Sequence, residues 1–194
     1  VYYSFNDLDE RTAKKSKKIL YNDKIQAKKV LVNKFKDFYK SYFALKKNIF
    51  PYIDAKIAVS KDYYTINKNS KWITNLSSRN RGHLLRSQYD CIISTAKSIN
   101  KDNSLLNCRL NGFDHSKPDL VIIDLKLKIK KNLNVFKLKD KRKITIITSK
   151  INSKKIPFFR NKGVKIDFIN SLKNRSDFIV LFKILRKYDY NRIF

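Results

Sequence analysis

The chain has 194 residues, 42% of them hydrophobic, with 13 Phe and 11 Tyr, which excludes a disordered polyelectrolyte and suits one domain, or one domain plus part of another. Its longest apolar runs, such as Leu120–Ile123, fall far short of the roughly 20 residues of a membrane span. The formal charge is +29, and two cysteines exclude a disulfide framework and fit a reducing cytoplasm.

In chain order, Val1–Phe5 reads as a strand. Residues 11–22 read as a polar, Lys-rich surface helix. Leu31, Phe35, Phe38, Tyr42 and Leu45 recur every three or four residues and predict one amphipathic helix over 31–46. Pro51 ends any helix before it, and Tyr52–Ser60 reads as a buried strand. A polar loop over 61–70 precedes a helix over 76–89. Leu85 and Tyr89 lie on one side of it, and Arg79, His83 and Arg86 lie along another. Short apolar strands are predicted at 90–94, 119–124 and 144–148, and an alternating strand at 164–169. The stretch 125–143 is the least patterned and reads as loop and irregular strand. A last helix over 175–187 carries Phe178, Leu181, Phe182 and Leu185 on one face. Nearly continuous apolar strands interleaved with helices predict an α/β fold with a mixed, largely parallel sheet.

The charge has two readings. A basic face is the footprint of a nucleic-acid binder. Yet 35 Lys stand against 10 Arg, with 19 Asn and only three Gly and three Pro, and the lysines are spread along the chain. That is the composition of AT-rich coding, with lysines at solvated positions, and it is the favoured reading. A basic nucleic-acid-binding module is the alternative. Met is absent and Val1 is first, which leads us to expect a sequence cut short. Asn191–Phe194 reads as the opening of a strand, extending that expectation to both ends.

Several chemistries find no support. Cys91 and Cys108 form no Cys-x-x-Cys pair, and His83 and His115 are the only histidines, so no zinc spacing is present. Cys91 beside Ile92 and Ile93 reads as a buried small hydrophobe. No nucleophilic triad is legible, and three isolated glycines cannot build a phosphate loop. What remains is a polar constellation in the middle third. Ser70 to Thr74 precede the helix carrying Arg79, His83 and Arg86. Ser98 to Asn103 and Leu105 to Arg109 follow. Arginines offer forked donors to phosphate, and Trp72 offers a stacking face.

These segments, in this order, resemble the bifunctional deaminase/reductase (RibD) family of riboflavin biosynthesis. Pro51-Tyr52-Ile53 with Lys56, Ala58, Ser60 and Asp62 resembles the strand that opens its reductase domain. Ser70, Trp72, Ile73 and Thr74 match its Ser-x-Trp-Ile-Thr. Arg79, His83, Leu85 and Arg86 match its Arg-x-x-x-His-x-Leu-Arg, and Asp90-Cys91-Ile92 follows as Asp-Ala-Ile. Ser98, Ile99, Asp102, Asn103, Leu106 and Arg109 match the next motif, and Ile122-Ile123-Asp124 closes the series. Residues 1–47 resemble the tail of the cytidine-deaminase-like domain, through Asp7-Leu8-Asp9-Glu10-Arg11 and Leu20 to Ile25. Residues 48–194 then correspond to most of the reductase domain. The family's zinc motifs would lie upstream, so zinc is expected only outside this chain.

The resemblance implies a dihydrofolate-reductase-like fold. It also implies NADPH-dependent reduction of 5-amino-6-(5-phosphoribosylamino)uracil, a small phosphoribosylaminopyrimidine, in a cytoplasmic homodimer with no nucleic-acid or membrane partner. By motif match, Ser70, Arg86, Leu106 and Arg109 would hold the substrate. Ala58, Trp72, Ser98 and Asp102 would line the cofactor side, and Lys56 and Asp62 would sit near the reacting sugar. Three departures stand out. Tyr63 replaces a Gly, so that turn is expected to differ. Ser104 replaces a Pro, and Leu125 replaces a cofactor-contacting Ser of some members. The family's Val-Glu-Gly-Gly strand and Gly-rich turn would follow Phe194. A related reductase acting on another substrate is a further alternative.

Overall fold

Side chains alternate across a β-strand, so a strand buried on both faces must be apolar at successive positions. Residues 91–95, 119–123 and 144–148 meet that requirement, and in the computed structural model they form the centre of a parallel sheet. The structure describes all residues except 14, 47–49, 66–71 and 114–116. The chain divides into two compact units, Val1–Tyr52 and Ile53–Phe194.

In the first unit, β1 (Tyr2–Tyr3) and β2 (Lys28–Lys29) pair in parallel, with helix α1 (Lys15–Asn22) between them in sequence. The expected strand over 1–5 is thus only two residues long. The expected helix over 31–46 is two helices, α2 (Asn33–Phe38) and α3 (Lys40–Lys46). They part at Tyr39, whose ψ of 0° leaves helical geometry. The Tyr39 ring packs edge-on to Phe5 at 6.3 Å and against Phe43 at 5.9 Å. Asp9 accepts hydrogen bonds from Arg11 (2.7 Å) and Lys46 (2.6 Å), and Asp7 accepts from Thr12 and Tyr42. These bonds, Arg11's foremost, hold the Asp9 carboxyl well below the usual range. Thr12 and Tyr42 hold Asp7 at about 2.

The second unit is built on a six-stranded sheet. Its elements are β3 (Tyr52–Ile53, where the units meet in sequence), α4 (Leu76–Ser87), β4 (Cys91–Thr95), α5 (Ala96–Asp102) and β5 (Asp119–Ile123). A 3₁₀ turn (Asn134–Leu138), β6 (Ile144–Thr148), α6 (Ile156–Asn161), β7 (Lys165–Phe168), α7 (Arg175–Arg186) and β8 (Arg192–Ile193) complete it. The strand order is β3-β8-β4-β5-β6-β7. The ladders from β8 through β7 are parallel.

Period-two alternation gives each face its own core. Ile92, Leu120, Ile122, Ile144, Ile146 and Ile166 pack with α5 and α6 through Ile99 and Phe159. Cys91, Val121, Ile147 and Ile193 pack with α7 through Leu181 and Leu185. Cys91 is fully buried, and burial pushes its thiol well above the ordinary range.

Four expectations need correction. The strand over 52–60 stops at Ile53, because β8 is two residues long and offers pairing only as far as the Asp54 N–H, which donates to Ile193 O. Ile57 and Val59 are exposed. Helices α5 and α6 were not foreseen, and the 3₁₀ turn interrupts what read as loop and irregular strand. Phe178 stays 42% exposed although it shares a helix with buried Leu181 and Leu185. Among the described residues, no helix is long and apolar enough to cross a membrane.

Candidate active site

Asn75 starts α4 by accepting from the Ser78 N–H (2.9 Å), and the helix carries His83 and Arg86 in its second half. Thr95 ends β4 and caps α5, its Oγ1 accepting from the Ser98 N–H at 3.3 Å. Asn103 ends α5 in the left-handed region, and its Oδ1 accepts from Asn134 N (2.8 Å). The chain then turns through Leu106, whose φ is +50°. Arg142, 6% exposed, braces that turn from inside. Its Nη1 donates to Leu106 O (2.7 Å) and Pro118 O (3.4 Å), and its Nη2 donates to Leu105 O.

That bracing presents Asn107, Cys108 and Arg109 to α4. The Asn107 carbonyl accepts from Arg86 Nη1 (3.2 Å) and lies 3.0 Å from His83 Nδ1. Arg109 Nη1 donates to Asn107 Oδ1 (3.3 Å), and its Nη2 lies 3.3 Å from His83 Nε2. Two guanidinium groups therefore share one small polar frame. Among the described residues, neither forms an ion pair with a carboxylate. Burial and the Arg109 charge push Arg86 down from its ordinary value. Burial and the Arg86 charge do the same to Lys56. Lys56 also lines an open depression of about 410 Å³ with Ser77, Ser78, Arg81, Gly82 and Leu85 of α4.

Of the residues singled out from sequence, the structure brings together Arg86, Arg109 and the backbone of Leu106. Lys56 is close enough for Arg86 to act on its charge. Ser98 and Asp102 stand one turn apart on α5, both exposed. Ala58 is half-buried in the irregular segment after β3. Asp62 is exposed in a turn closed by Ser60 N to Tyr64 O (2.8 Å). Tyr63 in that turn adopts φ +65°, the region glycine favours. Trp72 is exposed, with the Arg79 guanidinium 4.6 Å from its ring centroid. Arg79 also donates to Thr74 O (2.6 Å), so it turns away from His83 and Arg86 rather than joining them. Ser70 lies outside the described residues.

Sequence reasoning missed the supports. Arg142 carries no spacing signal, and Asn103 and Asn107 stood in the polar constellation with no role of their own. Asp124 was noted only as a strand end. It is buried and accepts from Lys128 N (2.9 Å) and Ile129 N (2.7 Å), which shapes the loop after β5. Among the described residues, no group of three or more His, Cys, Asp or Glu could hold a metal ion.

Residues 51–194 match the RibD C-terminal domain family. The chain belongs to that family. It is 32% identical over 169 residues to the riboflavin biosynthesis protein RibD of Buchnera aphidicola subsp. Baizongia pistaciae, covering 79% of this chain and 44% of that protein. Acinetobacter baumannii RibD superposes with a TM-score of 0.72 at 19% identity, over 100% of this chain and 53% of that one. The diaminohydroxyphosphoribosylaminopyrimidine deaminase/5-amino-6-(5-phosphoribosylamino)uracil reductase of Thermotoga maritima has a TM-score of 0.69 at 22% identity, over 91% and 47%. The chain thus spans about half the length, or less, of these relatives. The parallel sheet flanked by helices is the dihydrofolate-reductase-like fold of RibD reductase domains.

Proposed function

We propose that this chain is the reductase part of a riboflavin-biosynthesis enzyme and reduces the ribosyl group of 5-amino-6-(5-phosphoribosylamino)uracil to ribityl, with NADPH as reductant. The observation that carries the reading is the Arg86–Arg109 pair, whose charges meet no carboxylate among the described residues. A pair of forked cations so arranged suits a phosphate dianion. The substrate's phosphate would sit there, with Leu106 alongside, and the family resemblance assigns Ser70 to the same ligand. Residues 1–47 are read as the tail of a deaminase-like domain and 48–194 as the reductase domain, working in a cytoplasmic homodimer.

The residues on the cofactor side fit part of a dinucleotide. Ser98 and Asp102 present a hydroxyl and a carboxylate on successive turns, suited to ribose hydroxyls, and Trp72 offers a ring face. The three glycines, in α4 and at two isolated turns, supply no phosphate cradle. When bound, NADPH supplies a hydride to the sugar C1. This chain's residues hold the two ligands in register and supply the proton that the ring oxygen takes as its bond to C1 breaks. Lys56, with its affinity for a proton lowered, is the candidate donor, and Asp62 would lie near the same sugar.

The test is substrate-dependent loss of NADPH absorbance. The expected result is turnover only with the phosphoribosylaminopyrimidine, and a rise in KM of at least about tenfold for Arg109→Ala. NADPH that is never consumed with this substrate, under conditions in which both ligands bind, would overturn the reading.

A further inference from the structure

We propose that His83 is a positioning residue of this anion site: held neutral with its proton on Nδ1, it docks Arg109 so that both guanidinium groups face one ligand. This rests on the reading of Arg86 and Arg109 as a phosphate-holding pair.

The argument is one of donors and acceptors. A carbonyl oxygen only accepts, so the 3.0 Å contact to Asn107 O places the proton on His83 Nδ1. A guanidinium only donates, so the 3.3 Å contact to Arg109 Nη2 requires a bare lone pair on Nε2. Both contacts are satisfied by one state of the ring, the neutral Nδ1–H tautomer. The 3.4 Å approach of Arg86 Nη1 to Nδ1 is then two donors converging on the same carbonyl. Arg109 is exposed, and its two terminal nitrogens are held by two acceptors, Nη1 by Asn107 Oδ1 and Nη2 by His83 Nε2. Removing the second acceptor frees the fork to turn away from Arg86.

The groups facing His83 are Arg86 on its own helix and Asn107 and Arg109 from the loop after α5. Lys56 faces Arg86 from the segment after β3. The formal charges facing the ring are therefore positive, and a second proton on it meets repulsion. Burial, Arg86 and Arg109 push the imidazole below its ordinary value, with the Asn107 carbonyl opposing in part. The ring is therefore neutral at neutral pH, and the docking of Arg109 is lost as acid protonates Nε2.

Sulfate is the probe, because it stays a dianion where phosphate titrates. Calorimetric binding to the intact chain is expected to weaken severalfold as the pH falls from about 8 to about 5. His83→Gln, whose amide can donate and accept in the same places, should bind within about threefold of wild type and lose the pH dependence. His83→Leu should bind about tenfold more weakly at neutral pH, the loss expected for one charge-assisted hydrogen bond. Imidazole nitrogen shifts should report the Nδ1–H tautomer, with His115→Gln assigning the two histidines. Sulfate binding that holds or strengthens in acid, or an Nε2–H tautomer, overturns the proposal. If Arg86→Ala and Arg109→Ala abolish binding while His83→Leu leaves it unchanged, only the positioning role falls. If neither arginine matters, the phosphate-site reading itself falls.

Discussion

A guanidinium in the interior is costly unless its donors are used, and Arg142 spends two nitrogens on three carbonyls. Burial lowers its pKa to about 10, still far above neutral, so it stays charged there. One of those carbonyls belongs to Leu106, whose left-handed backbone carries a cost of roughly 1–2 kcal/mol. Arg142→Met is expected to destabilise the second unit by about 3 kcal/mol, read by urea denaturation. Arg142→Lys should not restore it, because a point charge cannot span three carbonyls. Wild-type stability in the Lys variant would refute that account. The site was half legible at this scale. Arg86 and Arg109 stood in an ordered series of motifs. Arg142 sat unmarked between Lys141 and Lys143 in a Lys-rich stretch, where only burial distinguishes it. Asn107 acts largely through its backbone carbonyl, which no sequence pattern records.

At the scale of elements, α7 shows why some helices could be read and others not. Its apolar residues repeat at three and four, and its start is sealed by a reciprocal capping box between Asn174 and Asp177. Asn174→Ala is expected to cost about 1 kcal/mol, and Leu185→Ala about 3 kcal/mol, in denaturant unfolding. Bonds from Lys173 N (2.7 Å) and Ser171 depress the Asp177 carboxyl. A depressed carboxyl stabilises the fold above its unfolded value near 4, and that contribution is lost as pH falls through the folded value. The stability gap between wild type and Asp177→Asn should therefore shrink below about pH 4. A gap that stays constant to lower pH would count against it. Helix α5 buries only Ala96 and Ile99, and six-residue α6 carries Pro157 in its first turn, so neither shows a usable period. After Ile53, apolar Ile57 and Val59 imitate a strand that has no partner to pair with.

Across the whole molecule, 45 basic residues face 16 acidic ones, so most positive charges can find no carboxylate. Self-repulsion of this kind destabilises a compact state, and salt screens it. The melting temperature is expected to rise by a few degrees between roughly 20 and 200 mM NaCl. No change, or a fall, would mean that specific ion pairs outweigh the net charge. The fold class was readable from the strands that bury both faces. The family was readable from motif order, which survives heavy lysine substitution because the motifs depend on a few polar and aromatic positions. Sheet order was not readable, since nothing in Asn191–Phe194 names its neighbours.

The place of β8 bears on how this sheet is made. Strands β4 to β7 join one edge in the order in which they leave the ribosome. β8 instead returns to lie between β3 and β4, with Ile193 opposite Cys91 and the Ile93 N–H donating to Phe194 O. While the intervening helices and strands are synthesised, the flank of β4 stays open and β3 has nothing to pair with. The interior seam closes only after β8 has been made, so the growing chain carries an unpaired, apolar strand edge until Arg192 and Ile193 have emerged.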